Sequence, residues 1–471
     1  MKTLKYIWMF CLAVVTVGFT SCDDDDEASG SSPITVTQIY LERSTATVTD
    51  RPVDFARLGQ TIRIEGSGFK GLKELYVNGF RTYFNTTYIT NNNMIVSLDM
   101  DTPISGADPE ERNTIRFVKS GTEYVYEFEI RAASPVIKSI SNTLPKAGET
   151  VTVYGENLQL TESVTLPGGT QVTKITNAPE EEDGEWFSFV MPSGVTEYGA
   201  ITVMCANGTA VSAEYFNNSN CIVLDFDGNG AQGSWNWSET GSMISSDDLV
   251  DDPLGTPLGT GRGKVLKIIP DRLLDAGGIA AGKPRATECW TAGSGNELDD
   301  WSRMYTYIPE TTPLTDVAFQ FDIYVPGTWV GTGHIQICLI NNFNFGGIGS
   351  DDDSDSKQCA FYCPWIVDGE VVPFTTGDQW VTVTIPFSEF GKYAAEIEDG
   401  DTPTFSEVVT ERNAATNRNF GMGFVNTKFT LDGVEYESAV CSQEIYIDNW
   451  RVVPCASEVV SDFPDEEEEE E

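Results

Sequence analysis

The sequence has few of the side chains that most metal sites and most nucleic-acid surfaces use. His334 is the only histidine in 471 residues, and 29 Lys and Arg stand against 72 Asp and Glu, a net charge of −43. So large an excess of negative charge disfavours nucleic acid and anionic lipid surfaces as partners. One histidine and no pair of C-x-x-C sequences also disfavour a zinc centre. We therefore predict no nucleic-acid partner, no metal and no cofactor, and we expect an electrically neutral ligand.

Long apolar runs are missing except at the start of the chain. Lys2 and Lys5 precede an apolar stretch over residues 6–19, which is too short to span a bilayer and is typical of a secretory signal peptide, residues 1–21. The following "FTSC" looks like the lipobox of bacterial lipoproteins, whose cysteine, here Cys22, carries lipid. An ordinary signal peptide with an unrelated cysteine is the alternative. The "DDDDE" of the acidic tether, residues 22–33, resembles the tag that sends lipoproteins of Bacteroidetes-type bacteria to the outer face of the outer membrane.

Regular cysteine spacing is also absent. Eight cysteines follow Cys22, an even number that permits disulfides in an exported chain. Their spacing is irregular, and a chain of this length can build its cores without disulfides. Cys441–Cys455 and Cys359–Cys363 are the pairs that come into question.

An internal repeat organises the N-terminal half. "GQTIRIEGSGF" (59–69) matches "GETVTVYGENL" (148–158), and "KELYVNG" (73–79) matches "ESVTLPG" (162–168), both at a spacing of 89 residues. Alternating apolar and polar residues, interrupted by Gly and Asn, predict two antiparallel sandwiches over residues 34–132 and 133–220. The repeated motif resembles the IPT/TIG family of immunoglobulin-like domains. We expect both domains to act as spacers.

The chain from residue 221 to 455 has a different character, being rich in Trp and Gly. Strand patterns are clear in residues 317–325, 333–340, 379–387, 420–425 and 444–453, and only residues 388–398 could form a short helix. These patterns predict one large β-sandwich or jelly roll. The fold class is therefore all-β: two immunoglobulin-like sandwiches, then a larger sandwich, with an acidic tail at 456–471.

The order of these parts resembles a known class of protein. A lipidated acidic N-terminus, tandem IPT/TIG-like domains, "YVPGTW" (324–329), "PW" (364–365), "WVTVTIPFSEF" (380–390) and "YIDNWRVVP" (446–454) look like the surface glycan-binding lipoproteins of Bacteroidetes polysaccharide-utilisation systems. The similarity is greatest to the type whose C-terminal domain binds xyloglucan or related β-glucans. It implies capture of a polysaccharide, without cleavage, beside a TonB-dependent porin and a partner glycan-binding lipoprotein.

Candidate ligand-binding residues are aromatic side chains outside the strands. The apolar face of a sugar ring stacks well on an exposed aromatic ring. Trp329 lies between Gly327 and Gly331, and Trp365 follows Pro364, so we predict that both are exposed in loops and stack on sugar. Tyr362 could extend this surface. Trp290 and Trp301 are held in reserve, whereas Trp380 and Trp450 lie within strands and are interpreted as packing residues.

Strand alternation adds Gln336 to the predicted site. In "HIQICLI" (334–340), Ile335, Ile337 and Leu339 share one face, which leaves His334 and Gln336 on the other face. We predict that Gln336 hydrogen-bonds to sugar hydroxyls near Trp329.

Other functions are weighed against glycan capture. Glycosidases need two carboxylates at a defined separation, which sequence spacing cannot reveal, and a serine triad would have to use His334; we predict no catalytic residues. A structural calcium ion at Asp225, Asp227 or Asp448 is an alternative to the absence of metal. The rival function is an adhesion or scaffold lipoprotein that binds a protein partner.

Overall fold

The computed structural model describes residues 32–42, 51–104, 106–179, 184–230, 244, 246–255, 261–268, 285–293, 295–341, 347–348, 358–456 and 460. The predicted signal peptide, Cys22 and most of the acidic tether lie outside these residues, as does almost all of the predicted tail. In the described part of the chain, no helix is both long and apolar enough to cross a bilayer. The chain divides into two compact units, residues 1–133 and 134–471.

The first unit contains one immunoglobulin-like sandwich, the first module. Its sheets have the strand orders β2-β1-β4-β7 and β6-β5-β8-β9, and β3 pairs in parallel with β10. Alternate residues of β4, β5 and β8 are fully buried and form the core, as the alternating sequence pattern predicts. The strands are β1 (Thr35–Leu41), β2 (Arg51–Pro52), β3 (Phe55–Arg57), β4 (Thr61–Ser67), β5 (Glu74–Val77), β6 (Phe80–Arg81), β7 (Asn93–Ser97), β8 (Thr114–Lys119), β9 (Thr122–Glu127) and β10 (Glu129–Arg131).

The second unit begins with a copy of the same sandwich, the second module. Its two four-stranded sheets have the orders β11-β12-β16-β15 and β14-β13-β17-β18. The strands are β11 (Val136–Ile140), β12 (Thr150–Glu156), β13 (Ser163–Thr165), β14 (Gln171–Val172), β15 (Ile175–Asn177), β16 (Trp186–Val190), β17 (Thr202–Cys205) and β18 (Gly208–Val211).

One glycine of the repeat has the same structural task in both modules. Gly66 and Gly155 each lie opposite a register shift in the strand that pairs with their own, β1 for Gly66 and β11 for Gly155. A Cβ added at Gly66 would lie 1.9 Å from the carbonyl oxygen of Thr35, and one at Gly155 would lie 2.0 Å from that of Val136. The repeat therefore conserves a close approach of two strands that only glycine permits.

The C-terminal sandwich is built from two sheets with the orders β20-β21-β32-β23-β28 and β22-β29-β24-β25; β19 also pairs with β32, and β26-β27 and β30-β31 are hairpins. All five predicted strand segments form strands here. The strands are β19 (Ile222–Leu224), β20 (Leu249–Asp251), β21 (Lys264–Ile268), β22 (Arg285–Trp290), β23 (Val317–Tyr324), β24 (His334–Cys338), β25 (Cys359–Tyr362), β26 (Ile366–Val367), β27 (Glu370–Val371), β28 (Val381–Pro386), β29 (Gly421–Val425), β30 (Phe429–Leu431), β31 (Val434–Tyr436) and β32 (Ile445–Pro454).

Two short helices lie between β28 and β29. Helix α1 (Gly391–Glu398) falls within the segment for which a short helix was predicted. Helix α2 (Phe405–Ala414) was not predicted. A capping box between Thr404 and Glu407 starts it, and Phe405, Val408 and Val409 bury its apolar side.

The second module and the C-terminal sandwich share buried contacts. Ala318 of β23 and Val453 of β32 belong to the hydrophobic cluster of the second module. Arg451 donates to Asp322 Oδ1 at 2.8 Å and to Thr143 Oγ1 of the second module at 2.8 Å. Burial alone would raise the pKa of Asp322, but Arg451 and Arg262 stabilise its charge and hold the pKa below the usual value. These contacts join the second module to the sandwich.

Candidate functional site

The predicted site residues Trp329, Tyr362 and Trp365 come together at one end of the C-terminal sandwich. We call this region the aromatic end. The backbone of Trp329 pairs with that of Phe374, with N···O distances of 2.8 and 2.9 Å, and the Tyr436 hydroxyl donates to the Gly369 carbonyl at 3.0 Å. Loops that are distant in sequence therefore meet here. The aromatic end comprises Trp329, Tyr362, Trp365, Phe374, Phe429 and Tyr436.

Trp329 is not exposed, so its predicted role as a stacking surface is wrong for this conformation. The side chain is 0% exposed, and Nε1 donates to the Thr332 carbonyl at 2.7 Å. Gly331 and Gly333, with φ of +68° and +70°, turn the chain back so that the indole enters the core beside Phe424. The turn thus directs the indole inward, and it closes the end of the core.

Trp365 is buried by a related arrangement. It is 1% exposed, and Nε1 donates to the Gly333 carbonyl at 2.7 Å. Its indole packs against Phe429 and Tyr436 of the β30-β31 hairpin, with ring centroids 6.2 and 5.7 Å away. The prediction that this residue is exposed is therefore also wrong. Both indoles satisfy their N–H groups on adjacent carbonyls of one turn.

Tyr362 is half-buried. Among the four predicted glycan-binding residues, it is the one that keeps accessible surface. Its ring meets those of Trp329 and Phe374 edge-on, at 6.3 and 6.2 Å between centroids. Phe374 is half-buried as well. Burial raises the pKa of Tyr362, so its hydroxyl remains protonated at physiological pH. Tyr362 and Phe374 thus offer apolar edges held in place by the buried indoles.

Exposed valines occur in the loops and hairpins of the aromatic end, and the sequence analysis missed them. The set is Val330, Val367, Val371, Val372 and Val434, each at least 39% exposed. Most of them lie in or directly beside the β26-β27 and β30-β31 hairpins. Both hairpins contact Trp365: the N–H of Val372, which follows β27, donates to the Trp365 carbonyl, and Tyr436 of β31 contacts the indole. The repeated valines of "IVDGEVV" (366–372) were the available signal. A group of apolar side chains at a surface commonly marks a binding site.

The predicted alternation along β24 is confirmed, but its consequence for Gln336 is not. Ile335 and Ile337 enter the core, while His334 and Gln336 lie on the other face. Gln336 is 0% exposed, and its Oε1 accepts from the Gly347 N–H at 2.9 Å. It therefore does not hydrogen-bond to a sugar near Trp329, because its side chain is fully buried and its Oε1 is bonded to Gly347.

The reserve tryptophans are also buried. Trp290 is 2% exposed and donates to Glu288, and Trp301 is 0% exposed beneath the Arg412 guanidinium, 3.6 Å from its ring. Trp380 and Trp450 are buried, in agreement with their interpretation as packing residues. Every tryptophan that the structure describes in the C-terminal sandwich is a core residue, so the accessible aromatic surface of the aromatic end comes from Tyr362 and Phe374.

A cleft of about 410 Å³ lies between the second module and the C-terminal sandwich. It is lined by Asn142, Glu149, Leu254, Asp378 and Trp380. Trp380 donates to Asp252 at 3.1 Å, and Arg262 lies 4.9 Å from its ring centroid. With the indole 3% exposed, this cleft presents no stacking surface.

The cysteines and the carboxylates considered as calcium ligands can be located within the described residues. Neither of the considered disulfides, Cys441–Cys455 and Cys359–Cys363, is formed. No group of three metal-ligating side chains occurs in the described part of the chain. Of the carboxylates considered for calcium, Asp225 accepts hydrogen bonds from Asn229, and Asp227 accepts from the Lys264 N–H.

Residues 216–454 match the family model described as "Surface glycan-binding protein B xyloglucan binding domain". The chain belongs to this family. The matched region contains the whole aromatic end, and the resemblance inferred from the order of the motifs is confirmed.

Individual proteins are also similar to this chain in sequence or in fold. The chain is 27% identical over 223 residues to an IPT/TIG domain-containing protein of Bacteroides ovatus, an alignment that covers 47% of this chain and 40% of the relative. The crystal structure of surface glycan-binding protein PbSGBP-B from Prevotella bryantii is similar with a TM-score of 0.57 and 21% identity, over 90% of this chain and 99% of that one. An SGBP-B from a complex xyloglucan utilization locus in Bacteroides uniformis gives a TM-score of 0.44 at 18% identity, over 90% and 100%.

Proposed function

We propose that this family member captures a neutral β-glucan of the xyloglucan type at the aromatic end and does not cleave it. The observation that carries the proposal is the pair of half-buried rings, Tyr362 and Phe374, within the matched domain. Both rings rest on Trp329, which fixes their orientation. Little side-chain freedom is therefore lost when a ligand binds. Trp329 and Trp365 act as positioning residues beneath the contact surface.

The surface around these rings suits a neutral sugar chain. Valine side chains and ring edges contact the apolar C–H groups of a sugar, while the exposed Asp368 and Glu370 of the β26-β27 hairpin accept hydrogen bonds from its hydroxyls. The net charge of −43 repels acidic polysaccharides. A neutral glucan meets no such penalty.

The state of the only histidine supports capture without cleavage, because a serine triad would have to use it. Burial lowers the pKa of His334, the only histidine, to about 3, and the imidazole is 0% exposed. Because the imidazole is fully buried, it does not reach a substrate. The protein incubated with xyloglucan should release no new reducing ends; their steady accumulation would show that it is an enzyme.

We further propose that lipid on Cys22 anchors the protein in the outer membrane, facing outward, where it passes glycan to a TonB-dependent porin beside a partner glycan-binding lipoprotein. The lipobox-like "FTSC" and the acidic stretch after it support this location. Antibody should label intact cells. Replacing Asp23–Asp26 by Ala should leave the protein lipidated but facing inward, so unchanged labelling would refute a role for the acidic stretch.

The binding site is tested by calorimetry with xyloglucan oligosaccharide. Tyr362→Ala should weaken binding by about 1–3 kcal/mol, or about 5- to 150-fold, as for loss of an aromatic contact. Tyr362→Phe keeps the ring and should bind nearly as well. Tyr198→Ala removes an exposed tyrosine of the second module and serves as the matched control.

Two outcomes separate the possible failures. Wild-type affinity in a Tyr362→Ala, Phe374→Ala double variant would place the glycan elsewhere on the protein. Retardation by no member of a panel of soluble polysaccharides in affinity electrophoresis, together with capture of a protein partner, would favour the adhesion or scaffold function.

A further inference from the structure

The most exposed tyrosines of the described chain lie in the first module, which the sequence analysis assigned to spacing. Tyr83 is 80% exposed and Tyr88 is 59% exposed, both in the segment after β6. In the C-terminal sandwich, by contrast, no described aromatic side chain is among the exposed large apolar residues. An exposed aromatic ring with no core to fill is a candidate contact for a ligand.

The segment that carries Tyr83 and Tyr88 is held in place by local hydrogen bonds. The Thr82 N–H donates to the Leu75 carbonyl at 2.9 Å, which ties the segment to β5. Asn85 caps a short 3₁₀ turn by accepting from the Thr87 N–H at 2.9 Å. The Tyr88 N–H closes the turn on the Asn85 carbonyl at 3.0 Å. The two tyrosines therefore stand on an ordered backbone.

Other aromatic rings at the surface of this module are covered by arginine. Arg63 lies 4.2 Å from the centroid of Tyr40, Arg116 lies 4.0 Å from that of Tyr76, and Arg131 lies 3.6 Å from that of Phe55. Within the described residues, Tyr83 and Tyr88 have no such ring or cation contact. Their faces remain available to a ligand.

A groove of about 470 Å³ runs beside Tyr83 and is lined by Lys73, Glu74, Arg81, Thr82, Phe84 and Thr86. Arg81 pairs with Glu74 at 3.2 Å, and the Tyr76 hydroxyl donates to the same carboxylate at 2.8 Å. Glu74 thus neutralises Arg81, and Lys73 is the remaining charged side chain of the lining. The groove offers an aromatic face, hydroxyls and paired charges, a combination that suits a ligand rich in hydroxyls and without charge.

The first module differs from the C-terminal sandwich in its charge and from the second module in its aromatic residues. Residues 34–132 hold 11 Lys and Arg against 13 Asp and Glu, whereas residues 221–455 hold 13 against 35. The second module has no aromatic residue from Leu166 to Asn177, the stretch that corresponds to the groove segment. The groove is therefore a feature of the first copy and not of the module as such.

We propose that the Tyr83 groove is a second glycan-binding site, which takes the same class of neutral polysaccharide as the aromatic end. This inference rests on the proposed function, because it assumes a sugar ligand. Tyr83 stacks on a sugar ring, and the Glu74–Arg81 pair and Thr86 hydrogen-bond to its hydroxyls.

The test counts binding sites on the whole mature chain by calorimetry, with a xyloglucan oligosaccharide as the probe. Wild type should bind two oligosaccharides, and Tyr83→Ala should bind one or show a second site weakened about 5- to 150-fold. Tyr83→Phe keeps the ring face and should retain two sites. Tyr198→Ala, at an exposed tyrosine of the second module, should also retain two. Melting temperatures should be unchanged in all three variants.

Each other outcome overturns the proposal in a distinguishable way. A single site in wild type that is abolished by Tyr362→Ala but unaffected by Tyr83→Ala leaves the proposed function intact and removes the second site. Two sites that persist in a Tyr83→Ala, Tyr88→Ala double variant would place the second site elsewhere. Unchanged glycan binding with loss of an outer-membrane protein partner in Tyr83→Ala would make the groove a protein contact. Absence of any glycan binding in wild type would refute the proposed function itself.

Discussion

The two IPT/TIG-like modules share a fold but differ in what surrounds them. The first forms a compact unit by itself and keeps Tyr83 and Tyr88 exposed. The second contributes its core to a junction with the C-terminal sandwich, through Ala318 and Val453. A repeated module therefore need not have a repeated function. Its role depends on which surface the rest of the chain covers.

The junction changes how the chain should be divided for experiments. A fragment that starts at residue 221 would expose Ala318 and Val453 and would leave Arg451 without Thr143. A fragment of residues 134–456 keeps all these contacts. The domain boundary between residues 220 and 221 stays a prediction, and we expect the sandwiches on either side of it to unfold together.

The largest effect is expected at this junction. Arg451→Ala removes the 2.8 Å ion pair with Asp322 and leaves a buried carboxylate with one arginine partner fewer. Breaking a buried ion pair costs about 3–5 kcal/mol. Calorimetric melting of the whole chain should show a lower transition for the second unit and an unchanged one for the first. A shift of both transitions would mean that the two units do not unfold independently.

Trp329→Ala compares the buried aromatic residues of the sandwich with the exposed tyrosines of the first module. Removing a fully buried indole should cost about 3–5 kcal/mol of folding free energy because it leaves a cavity. Tyr83→Ala, at an 80% exposed residue, should stay within about 0.5 kcal/mol of wild type. Urea denaturation measures both. An equally stable Trp329→Ala variant would restore the prediction that this residue lies outside the core.

The contrast between these residues shows what the sequence could predict. Alternation and the repeat predicted the strands, because each buried face of a sheet leaves a period of two in the sequence. Alternation also separated Ile335 and Ile337 from Gln336 correctly. Those inferences depend only on local geometry, which the sequence encodes directly.

Exposure of the indoles could not be predicted in the same way. Gly331 and Gly333 indicated a turn, but whether the turn directs Trp329 toward water or toward Phe424 depends on strands far away in sequence. Gln336 is covered by Gly347 for a similar reason. Tyr83 was passed over because its module resembled a spacer. In each case tertiary packing, and not residue type, decided the exposure.

The loss of stability that His334 causes between pH 7 and pH 5 should be confined to the second unit, which contains this residue. Burial lowers the pKa of His334 from 6.5 to about 3, so below pH 6.5 the unfolded chain takes up a proton that the folded chain does not. The contribution of neutral His334 to the free energy of unfolding is therefore complete above pH 6.5 and is lost as the pH falls toward 3. At pH 5 the loss is about 2 kcal/mol. Denaturation of wild type and His334→Gln at pH 7 and pH 5 measures the difference. Parallel losses in the two proteins would show that His334 does not cause it.

The smallest effect is expected for an arginine of the first module. Arg63 lies 4.2 Å from the Tyr40 ring and donates to Asn93 at 2.9 Å, but its side chain is 23% exposed and its carboxylate neighbour, Glu65, is 3.9 Å away. Contacts of this kind at a surface are each worth about 0.5–1 kcal/mol. Arg63→Ala should therefore lower the first unit's transition by only a few degrees, whereas Arg451→Ala lowers the second unit's transition much further. Equal decreases in the two transition temperatures would mean that the first module depends on its surface arginines as strongly as the second depends on its buried junction. The structural difference between the two copies would then have no effect on their stability.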